Sequence, residues 1–328
     1  MKIKREDVVA AYRIFLNREP ENEDAIKYWL EQDSISELRN TFLRSAEYRS
    51  RMNLGSIPSM SGLEPKMISE IDKDIAKEDL EAIFEKVQSE WRRLGEEDPL
   101  WAVLSLEKYH ESTRSDIIDE FYSTGFGDID VIEKTLIRND ISLPAQATVL
   151  ELGCGAGRVT SHLAKKFEKV IGVDISKTML EVAKKRFMEE NIDNASFLLL
   201  NTVDEFDKLP KCDLLFSFIA FQHSPPPVIS RAIRGAIRSL NINGVAIFQV
   251  PTYIPNYKFT AHEYLRSSDM NTFLHSSQEY EMHAVRQCDL FKIIDAEGGR
   301  VLEVYEDIKM GPEYPTATSN TFLIEKIR

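Results

Sequence analysis

The stretch Thr148–Ser176 reads TVLELGCGAGRVTSHLAKKFEKVIGVDIS, and it decides the fold. A short apolar run leads into a glycine-rich turn, and a helix-like segment then leads to a second apolar run that ends at Asp174. This order of strand, turn, helix and strand predicts a βαβ unit whose ligand lies at the carboxyl end of the first strand. Because glycine has no side chain, the turn can be tight and the ligand can lie against the backbone. The carboxylate of Asp174, 17 residues beyond Gly157, suits the two hydroxyl groups of a ribose.

The spacing of the glycines separates two classes of cofactor. The dinucleotide fingerprint is G-x-G-x-x-G, and counted from Gly153 its third glycine is replaced by Arg158. The turn reads E-x-G-x-G-x-G instead, which places Glu151 at the end of the first strand. That carboxylate would repel a pyrophosphate and attract an ammonium group. The stretch therefore favours a nucleoside ligand that carries an amino group and no phosphates.

This seven-residue pattern with its spaced Asp resembles the class I S-adenosylmethionine-dependent methyltransferases. The resemblance implies an α/β, Rossmann-like, seven-stranded sheet in the order 3-2-1-4-5-7-6, with the last strand antiparallel. It implies S-adenosylmethionine as the cofactor, with Glu151 facing the methionyl amino group and Asp174 holding the ribose. Another Rossmann-like protein is the alternative. The cofactor-binding residues that we predict are Glu151, Gly153, Cys154, Gly155, Gly157, Arg158, Asp174, Ile175, Asn201, Thr202, Val203, Phe218, Tyr122 and Gly125.

Length and charge limit the possible partners. At 328 residues the chain exceeds a typical domain of about 100–200 residues, so a large domain with a smaller one is expected. The net charge of −13 argues against nucleic acid or an anionic membrane as the main partner. No apolar run approaches the roughly 18 residues of a membrane span, and the sequence shows no signal-like apolar block, so we expect a cytoplasmic protein. The three widely spaced cysteines and the absence of clustered ligands predict neither a disulfide framework nor a metal site.

Residues 1–52 form a predicted helical module, because apolar positions recur at helical spacing from residue 4 onward. Its motifs are Tyr12-x-x-x-Leu16-x-Arg18-Glu19-Pro20, Tyr28-Trp29-Leu30 and Phe42-Leu43-x-Ser45-x-Glu47-Tyr48. They resemble the small helical domain of phycobilisome linkers, which also occurs in bacterial surface and glycan-pathway proteins. The resemblance implies an interaction unit, so residues 4–52 are expected to bind a protein partner or to self-associate. The alternative is that these residues are a packing extension of the catalytic domain. Residues 53–66 are predicted to be a linker.

Residues 67–146 read as a helical connector and a cofactor lid. The segment WRRLGEEDPLWAV, residues 91–103, is similar to a stretch in bacterial sugar-type methyltransferases. In class I methyltransferases the region before the first strand often closes on the cofactor, which is why Tyr122 and Gly125 are nominated as cofactor neighbours. An ordinary helical packing layer is the alternative.

Residues 147–328 form the predicted methyltransferase core, with a substrate cap inserted at residues 251–278. Many members of the family place an Asp after the third strand for the adenine amino group, and this sequence has Asn201 there. The fourth strand leads through Phe218 to Gln222 and His223, without the Asn/Asp-Pro-Pro-aromatic motif of enzymes that methylate DNA bases. Loops at this edge of the sheet carry substrate selectivity. The expected substrate contacts are Gln222, Tyr253, His262 and His275.

An alcohol acceptor needs a base, because its proton must leave as the bond to the methyl group forms. Histidine is the commonest base near neutral pH. His223 follows the fourth strand, and His283 is expected to open a helix over residues 281–297. Asp307, after the sixth strand, could orient a histidine or bind a sugar. Each of the three also has a structural alternative, as a hydrogen-bonded histidine or a solvated carboxylate.

The function that the sequence indicates is S-adenosylmethionine-dependent methyl transfer to a small polar acceptor by direct displacement with general-base assistance. A hydroxyl of a sugar or glycan precursor is the favoured acceptor. The alternatives are N- or C-methylation of another metabolite, and a cofactor-binding scaffold that recruits partners through the N-terminal module.

Overall fold

The computed structural model describes residues 3–16, 18–30, 34–45, 47, 71–110, 115–255, 257–267, 281–310 and 317–328. The predicted linker at residues 53–66, the cap from residue 268 onward and His275 lie outside the described residues. The chain divides into two compact units. The first comprises Met1–Met67 and Gly311–Ala317, and the second comprises Ile68–Met310 and Thr318–Arg328.

The first unit contains three helices within its described residues: α1 (Arg5–Leu16), α2 (Glu23–Leu30) and α3 (Ile35–Arg44). Tyr12 packs edge-on against Phe42, with the ring centroids 5.0 Å apart. Arg18 lies over the Tyr12 ring and binds Glu47 with two hydrogen bonds of 2.7 and 2.6 Å. The aromatic and charged residues of the N-terminal motifs therefore join the helices to one another. The buried residues of this core are Ile3, Val8, Ala11, Tyr12, Leu16, Ile26, Leu38 and Phe42.

The second unit is built on a seven-stranded sheet in the order β3-β2-β1-β4-β5-β7-β6. Neighbouring strands from β3 to β5 are parallel, while β7 is antiparallel to both β5 and β6. The predicted fold class, strand order and antiparallel last strand are confirmed. The strands are β1 (Thr148–Leu152), β2 (Lys169–Asp174), β3 (Ala195–Leu199), β4 (Cys212–Ser217), β5 (Leu240–Tyr253), β6 (Gly299–Asp307) and β7 (Thr318–Lys326).

Helices cover both faces of this sheet, and each face has its own hydrophobic core. The alternation of side chains along a strand explains this, since Leu150 of β1 belongs to one core and its neighbour Val149 to the other. Helices α4, α10 and α12 contribute to the first core, and α7 and α8 contribute to the second. The helices are α4 (Lys77–Glu97), α5 (Pro99–Val103), α6 (Ser115–Ser123), α7 (Gly125–Arg138), α8 (Thr160–Leu163), α9 (Lys177–Glu189), α10 (Pro226–Ser239), α11 (Ala261–Arg266) and α12 (Gln287–Ala296).

The helix predicted over residues 281–297 is wrong in its first six residues, because α12 begins only at Gln287. Residues 281–286 have no helical hydrogen bonding. Instead, the His283 N–H donates to the Gln222 carbonyl at 2.7 Å, and the Val285 N–H donates to the Pro251 carbonyl at 3.0 Å. These two bonds hold the segment against the ends of β4 and β5.

Within the described ranges, the helices are all too short or too polar to cross a lipid bilayer.

Candidate active site

A cleft lies at the carboxyl ends of β1, β2 and β4 in the second unit. It encloses about 1080 Å³ of space, including the part that is open to solvent. This is the position expected of a ligand site in a parallel α/β sheet. The predicted site residues that line it are Glu151, Gly153, Cys154, Gly155, Arg158, Asp174, Ile175, Phe218 and His223.

The glycine-rich turn takes a conformation that larger residues would strain. Gly153 has a φ of +78°, and a Cβ there would lie 2.4 Å from the Cβ of Ala220. Gly157 has a φ of +80°, and a Cβ there would lie 2.9 Å from the Phe187 ring. The Gly153 N–H donates to the carbonyl of Val173 at 2.8 Å, which fixes the turn against β2. The E-x-G-x-G-x-G pattern is therefore a requirement of this backbone.

Asp174 closes the turn from the end of β2. Its Oδ2 accepts a hydrogen bond from the Gly155 N–H at 2.7 Å, and its Oδ1 accepts one from the Ser176 N–H at 2.8 Å. Burial raises the pKa of Asp174, although the backbone hydrogen bonds oppose the shift. Since each carboxylate oxygen has two lone pairs, both can still accept a hydrogen bond from a ligand.

Glu151 is a buried acid at the end of β1, with 5% of its surface exposed. The Thr160 hydroxyl donates to its Oε2 at 2.5 Å. Burial raises the pKa of Glu151 to about 8, because the charged form is desolvated. A cationic ligand beside it would favour the charged form and lower that pKa.

Arg158 contributes a positive charge to the same wall of the cleft. Its Nη2 donates to Asp128 at 2.6 Å, and Lys309 donates to the other oxygen of Asp128 at 2.8 Å. Burial raises the pKa of Asp128, but the charges of Arg158 and Lys309 outweigh it and lower the pKa overall. The Arg158 Nε is buried and has no hydrogen-bond partner among the described residues. One guanidinium N–H therefore has an unused hydrogen bond at a residue that lines the cleft.

Three predicted cofactor residues support the turn and do not line the cleft. The Tyr122 hydroxyl donates to the Ala156 carbonyl at 2.9 Å. Gly125 begins α7 where a Cβ would lie 2.5 Å from the Arg158 carbonyl, so it permits a close helix contact. Gly157 meets Phe187 as described above. These residues hold the loop from behind.

The segment after β3 lines the cleft with a residue other than the three that were predicted. Asn201 and Thr202 are exposed, and the Asn201 N–H donates to Glu205 at 2.6 Å. Val203 is buried in the core. None of these three residues lines the cleft, whereas Phe206, from the same 3-10 turn (Val203–Lys208), does.

Helices α4 and α5 form a further wall of the cleft. The sequence predicted a cofactor lid in this region but not which residues of 91–103 contact the cleft. Trp91, Ala102 and Val103 line the cleft. The Gln88 side-chain amide donates to the carbonyls of Ile175 and Leu200, at 3.2 and 2.8 Å. Gln88 thus fastens α4 to the ends of β2 and β3. The segment at residues 91–103 could have suggested this wall, but no spacing rule singled out its individual residues.

The turn after β4 is strained at Ile219, a β-branched residue with a φ of +54°. Its N–H donates to the Gln249 Oε1 at 3.0 Å. The Gln249 amide in turn donates to the Gln222 Oε1 at 3.0 Å and to the Ser319 hydroxyl at 2.7 Å. Gln222, a predicted substrate contact, is buried in this network and does not line the cleft.

His223 lies in the cleft but has little basicity. Its Nδ1 donates to the backbone carbonyl of Glu281 at 3.0 Å, and its Nε2 accepts from the Gln222 amide at 3.1 Å. Its ring meets Trp91 edge-on, with the centroids 5.4 Å apart. Burial lowers the pKa of His223 to about 4. The ring is therefore neutral at pH 7 and accepts protons weakly.

His283 is buried beside the cleft in a chain of side chains. Its Nδ1 lies 2.7 Å from the Tyr257 hydroxyl, and its Nε2 lies 2.8 Å from the Glu281 Oε2. Tyr264 also donates to that oxygen, at 3.0 Å. Sequence reasoning missed Glu281, because residues 281–286 were expected to be helical.

Asp307 terminates β6 away from the cleft. Its Oδ1 accepts from the Lys309 N–H at 3.0 Å, and its Oδ2 accepts from the Thr321 hydroxyl at 2.7 Å. The structure uses it to close the end of the strand.

Of the predicted substrate contacts that the structure describes, Tyr253 and His262 also lie away from the cleft lining. Tyr253 is the last residue of β5. His262 is exposed on α11, where Arg266 donates to its Nε2 at 3.2 Å. The part of the chain that is described contains no cluster of three or more residues able to hold a metal ion.

Comparison with known proteins matches the same region of the chain. Residues 149–244 match the family model described as a methyltransferase domain. A magnesium protoporphyrin IX methyltransferase from Synechocystis PCC 6803, solved with bound S-adenosylhomocysteine, superimposes with a TM-score of 0.51 at 15% identity. The superposition covers 74% of this chain and 99% of that one, and it shows the shared fold.

Residues 149–244 are therefore similar to methyltransferase domains. A tRNA/tmRNA (uracil-C(5))-methyltransferase of Wolinella succinogenes is 31% identical over 105 residues, which are 29% of this chain and 28% of that protein. A malonyl-[acyl-carrier protein] O-methyltransferase of Priestia megaterium is 35% identical over 79 residues, which are 24% of this chain and 27% of that protein. The chain therefore spans only about a quarter of the length of these relatives. The similarity is confined to the methyltransferase domain.

Proposed function

We propose that this protein binds S-adenosylmethionine in the cleft and transfers its methyl group to a small polar acceptor. The observation that carries the proposal is a set of three polar side chains in the cleft, near the carboxyl ends of β1 and β2. It comprises a buried acid, Glu151, a second acid, Asp174, and the unpartnered Nε of Arg158. When bound, S-adenosylmethionine supplies a methyl group on a cationic sulfur, which keeps the bonding electron pair as the methyl group leaves.

These three side chains fit the polar groups of that ligand. Glu151 pairs with the ammonium group, and the Arg158 Nε donates to the carboxylate of the same methionyl part. Asp174 accepts from the ribose hydroxyls with the lone pairs that its backbone hydrogen bonds leave open. The apolar side chains of Ile175 and Phe206 enclose the nucleoside.

We propose a hydroxyl of a sugar or glycan precursor as the acceptor. The support comes from the sequence of the N-terminal motifs and of residues 91–103, both similar to segments of glycan-pathway proteins. The relatives named above act on different acceptors by their names, so they do not favour one. The net charge of −13 favours a small acceptor over nucleic acid and suits a cytoplasmic protein.

We propose that residues 4–52 bind a protein partner or a second copy of the chain. A scaffold whose methyltransferase domain only holds the cofactor is the competing function. Release of S-adenosylhomocysteine distinguishes the two, because a scaffold would bind the cofactor without turnover. Removal of residues 1–52, followed by measurement of both turnover and assembly mass, tests the role of the N-terminal helices.

Calorimetry with S-adenosylmethionine, S-adenosylhomocysteine and NADH tests the proposal directly. We expect the two sulfur nucleosides to bind and NADH not to bind, because Arg158 stands where the dinucleotide fingerprint has its third glycine. We also expect S-adenosylhomocysteine to accumulate when UDP- or GDP-linked hexoses are added. Preferential binding of NADH, or binding of none of the three, would contradict the proposed function.

A further inference from the structure

The side chain of Trp91 crosses the cleft from the end of one strand toward the end of another. Its backbone carbonyl accepts a hydrogen bond from the Ser176 hydroxyl at 3.0 Å, just beyond the end of β2. Its ring meets that of His223 edge-on in the turn after β4, with the centroids 5.4 Å apart. In the sheet β1 lies between β2 and β4, and neighbouring strands are about 4.8 Å apart. The indole therefore lies at the carboxyl end of β1, where the glycine-rich turn begins.

Helix α4 fixes the position of Trp91 from both sides. One turn earlier, the Gln88 side chain donates to the Ile175 carbonyl at 3.2 Å. One turn later, Gly95 lies so close to α9 that a Cβ there would be 2.4 Å from the Thr178 hydroxyl oxygen. The indole itself is only partly buried, and it lines the cleft. A ligand that enters the cleft therefore meets an accessible ring that is held in place.

The orientation proposed above for S-adenosylmethionine brings its sulfur close to this ring. In that orientation Glu151, near the end of β1, pairs with the ammonium group, and Asp174, at the end of β2, accepts from the ribose. The sulfur is bonded both to the methionyl chain and to the carbon that joins the ribose, so it lies between the groups that the two carboxylates bind. Trp91 reaches across the same two strand ends. The positively charged sulfur thus lies beside the indole.

The electrostatics of the cleft suit recognition of this charge by an aromatic ring. A sulfonium has no N–H or O–H to donate, whereas the face of an indole attracts a cation within about 6 Å of its centroid, more strongly than other aromatic side chains do. His223 adds no positive charge beside Trp91, because burial lowers its pKa to about 4 and leaves it neutral at pH 7. Phe218, another ring in the cleft, already has the Lys309 ammonium 4.8 Å from its centroid. Trp91 is therefore the better placed of these two rings to receive the sulfonium.

We propose that Trp91 recognises the positive charge of the sulfonium and so raises the preference of this protein for S-adenosylmethionine over S-adenosylhomocysteine. This inference rests on the proposed function. Transfer of the methyl group converts the sulfonium into a neutral thioether, which the ring quadrupole does not attract as a cation. The contact therefore strengthens binding of the cofactor before the reaction and is lost afterwards, which favours exchange of the product for a new cofactor.

Calorimetry with S-adenosylmethionine and S-adenosylhomocysteine on the full-length Trp91→Phe and Trp91→Met variants tests the inference. Phenylalanine keeps an aromatic face, whereas methionine supplies a flexible apolar chain without one. In Trp91→Met we expect the dissociation constant of S-adenosylmethionine, divided by that of S-adenosylhomocysteine, to rise by about 3- to 30-fold over the wild-type ratio. In Trp91→Phe the ratio should stay closer to that of the wild type. Trp91→Leu takes the place of Trp91→Met if the latter does not fold.

Trp101 supplies the matched control, because it does not line the cleft and its ring stacks on His110 with the centroids 5.1 Å apart. Trp101→Met should keep the wild-type ratio. A purely structural role of Trp91 would weaken binding of both ligands alike, so a ratio in Trp91→Met within about twofold of wild type would overturn the inference. An equal rise in Trp91→Phe or in Trp101→Met would overturn it as well. Binding of neither ligand by the wild-type chain would instead contradict the proposed function.

Discussion

Two walls of the cleft, one at β1 and β2 and one at the turn after β4, are built in different ways. The wall at β1 and β2 comes from one continuous stretch, in which the Asp174 carboxylate accepts from the Gly155 N–H and the Val173 carbonyl accepts from the Gly153 N–H. Another wall depends on segments far apart in the chain, since His223, which lines it, is held by the neighbouring Gln222 amide and by the distant Glu281 carbonyl. The first wall is determined by local geometry and the second by tertiary packing. Substitutions should therefore have different consequences in each.

The largest effect is expected for Asp174→Ala in the first wall. The variant loses the acceptor that we assign to the ribose and the bond to Gly155. Charge-assisted hydrogen bonds contribute about 1.5–3 kcal/mol each, so affinity for S-adenosylhomocysteine should fall by at least about 100-fold in calorimetry. Asp193→Ala, at an exposed position before β3, should bind normally. Wild-type affinity in Asp174→Ala would rule out the ribose assignment.

A large loss of stability is expected where the two walls touch. Gly153→Ala places a Cβ at positive φ and 2.4 Å from Ala220. The backbone strain of about 1–2 kcal/mol and the overpacking of about 1–3 kcal/mol should together lower the free energy of unfolding by about 2–5 kcal/mol. Denaturant titration measures this change.

Gly127 provides the matched glycine, because it lies inside α7 with nothing within 4 Å of a Cβ. Gly127→Ala should raise the free energy of unfolding by up to about 1 kcal/mol, since alanine favours the helix. Equal effects of the two substitutions would show that the contact between the walls is unimportant.

We expect the affinity for S-adenosylhomocysteine to change about tenfold with each pH unit because of Glu151. Burial raises its pKa to about 8, so below pH 8 the free protein holds a proton that an ammonium ligand must displace. Affinity for S-adenosylhomocysteine should therefore rise about tenfold from pH 6 to pH 7, where the amino group of the ligand is still charged. Glu151→Gln should show little change over this interval. The same slope in both proteins would place the titrating group elsewhere.

Protonation of Glu151 also makes the free energy of unfolding depend on pH. The folded pKa of Glu151 lies above its ordinary value of 4.5, so the folded state binds the extra proton between pH 4.5 and about 8. The contribution of this group to stability is greatest below pH 4.5 and falls as the pH rises through 8. Glu151→Gln should flatten this part of the stability profile.

The contrast between the walls also explains what could be read from the sequence. The order of strands and the residues of the glycine turn were predictable, because strand, turn and carboxylate follow one another within a single stretch. Glu281 was not predictable. Its apolar neighbours suggested a helix, while hydrogen bonds from His283 and Val285 to distant carbonyls hold the segment extended. Tyr122 was misplaced for a similar reason, because its hydroxyl supports the turn from behind.

The smallest effect is expected at Ile219, in the second wall. A β-branched residue at a φ of +54° costs about 1–2 kcal/mol relative to an ordinary conformation. Glycine accepts this φ, but it adds about 0.5–1 kcal/mol of unfolded-state freedom. Ile219→Gly should therefore change the free energy of unfolding by no more than about 1 kcal/mol. Turnover should nevertheless fall, because the Ile219 side chain lines the cleft. A loss of several kcal/mol in denaturant titration would mean that packing of this side chain outweighs the strain, and that the second wall is as rigidly determined as the first.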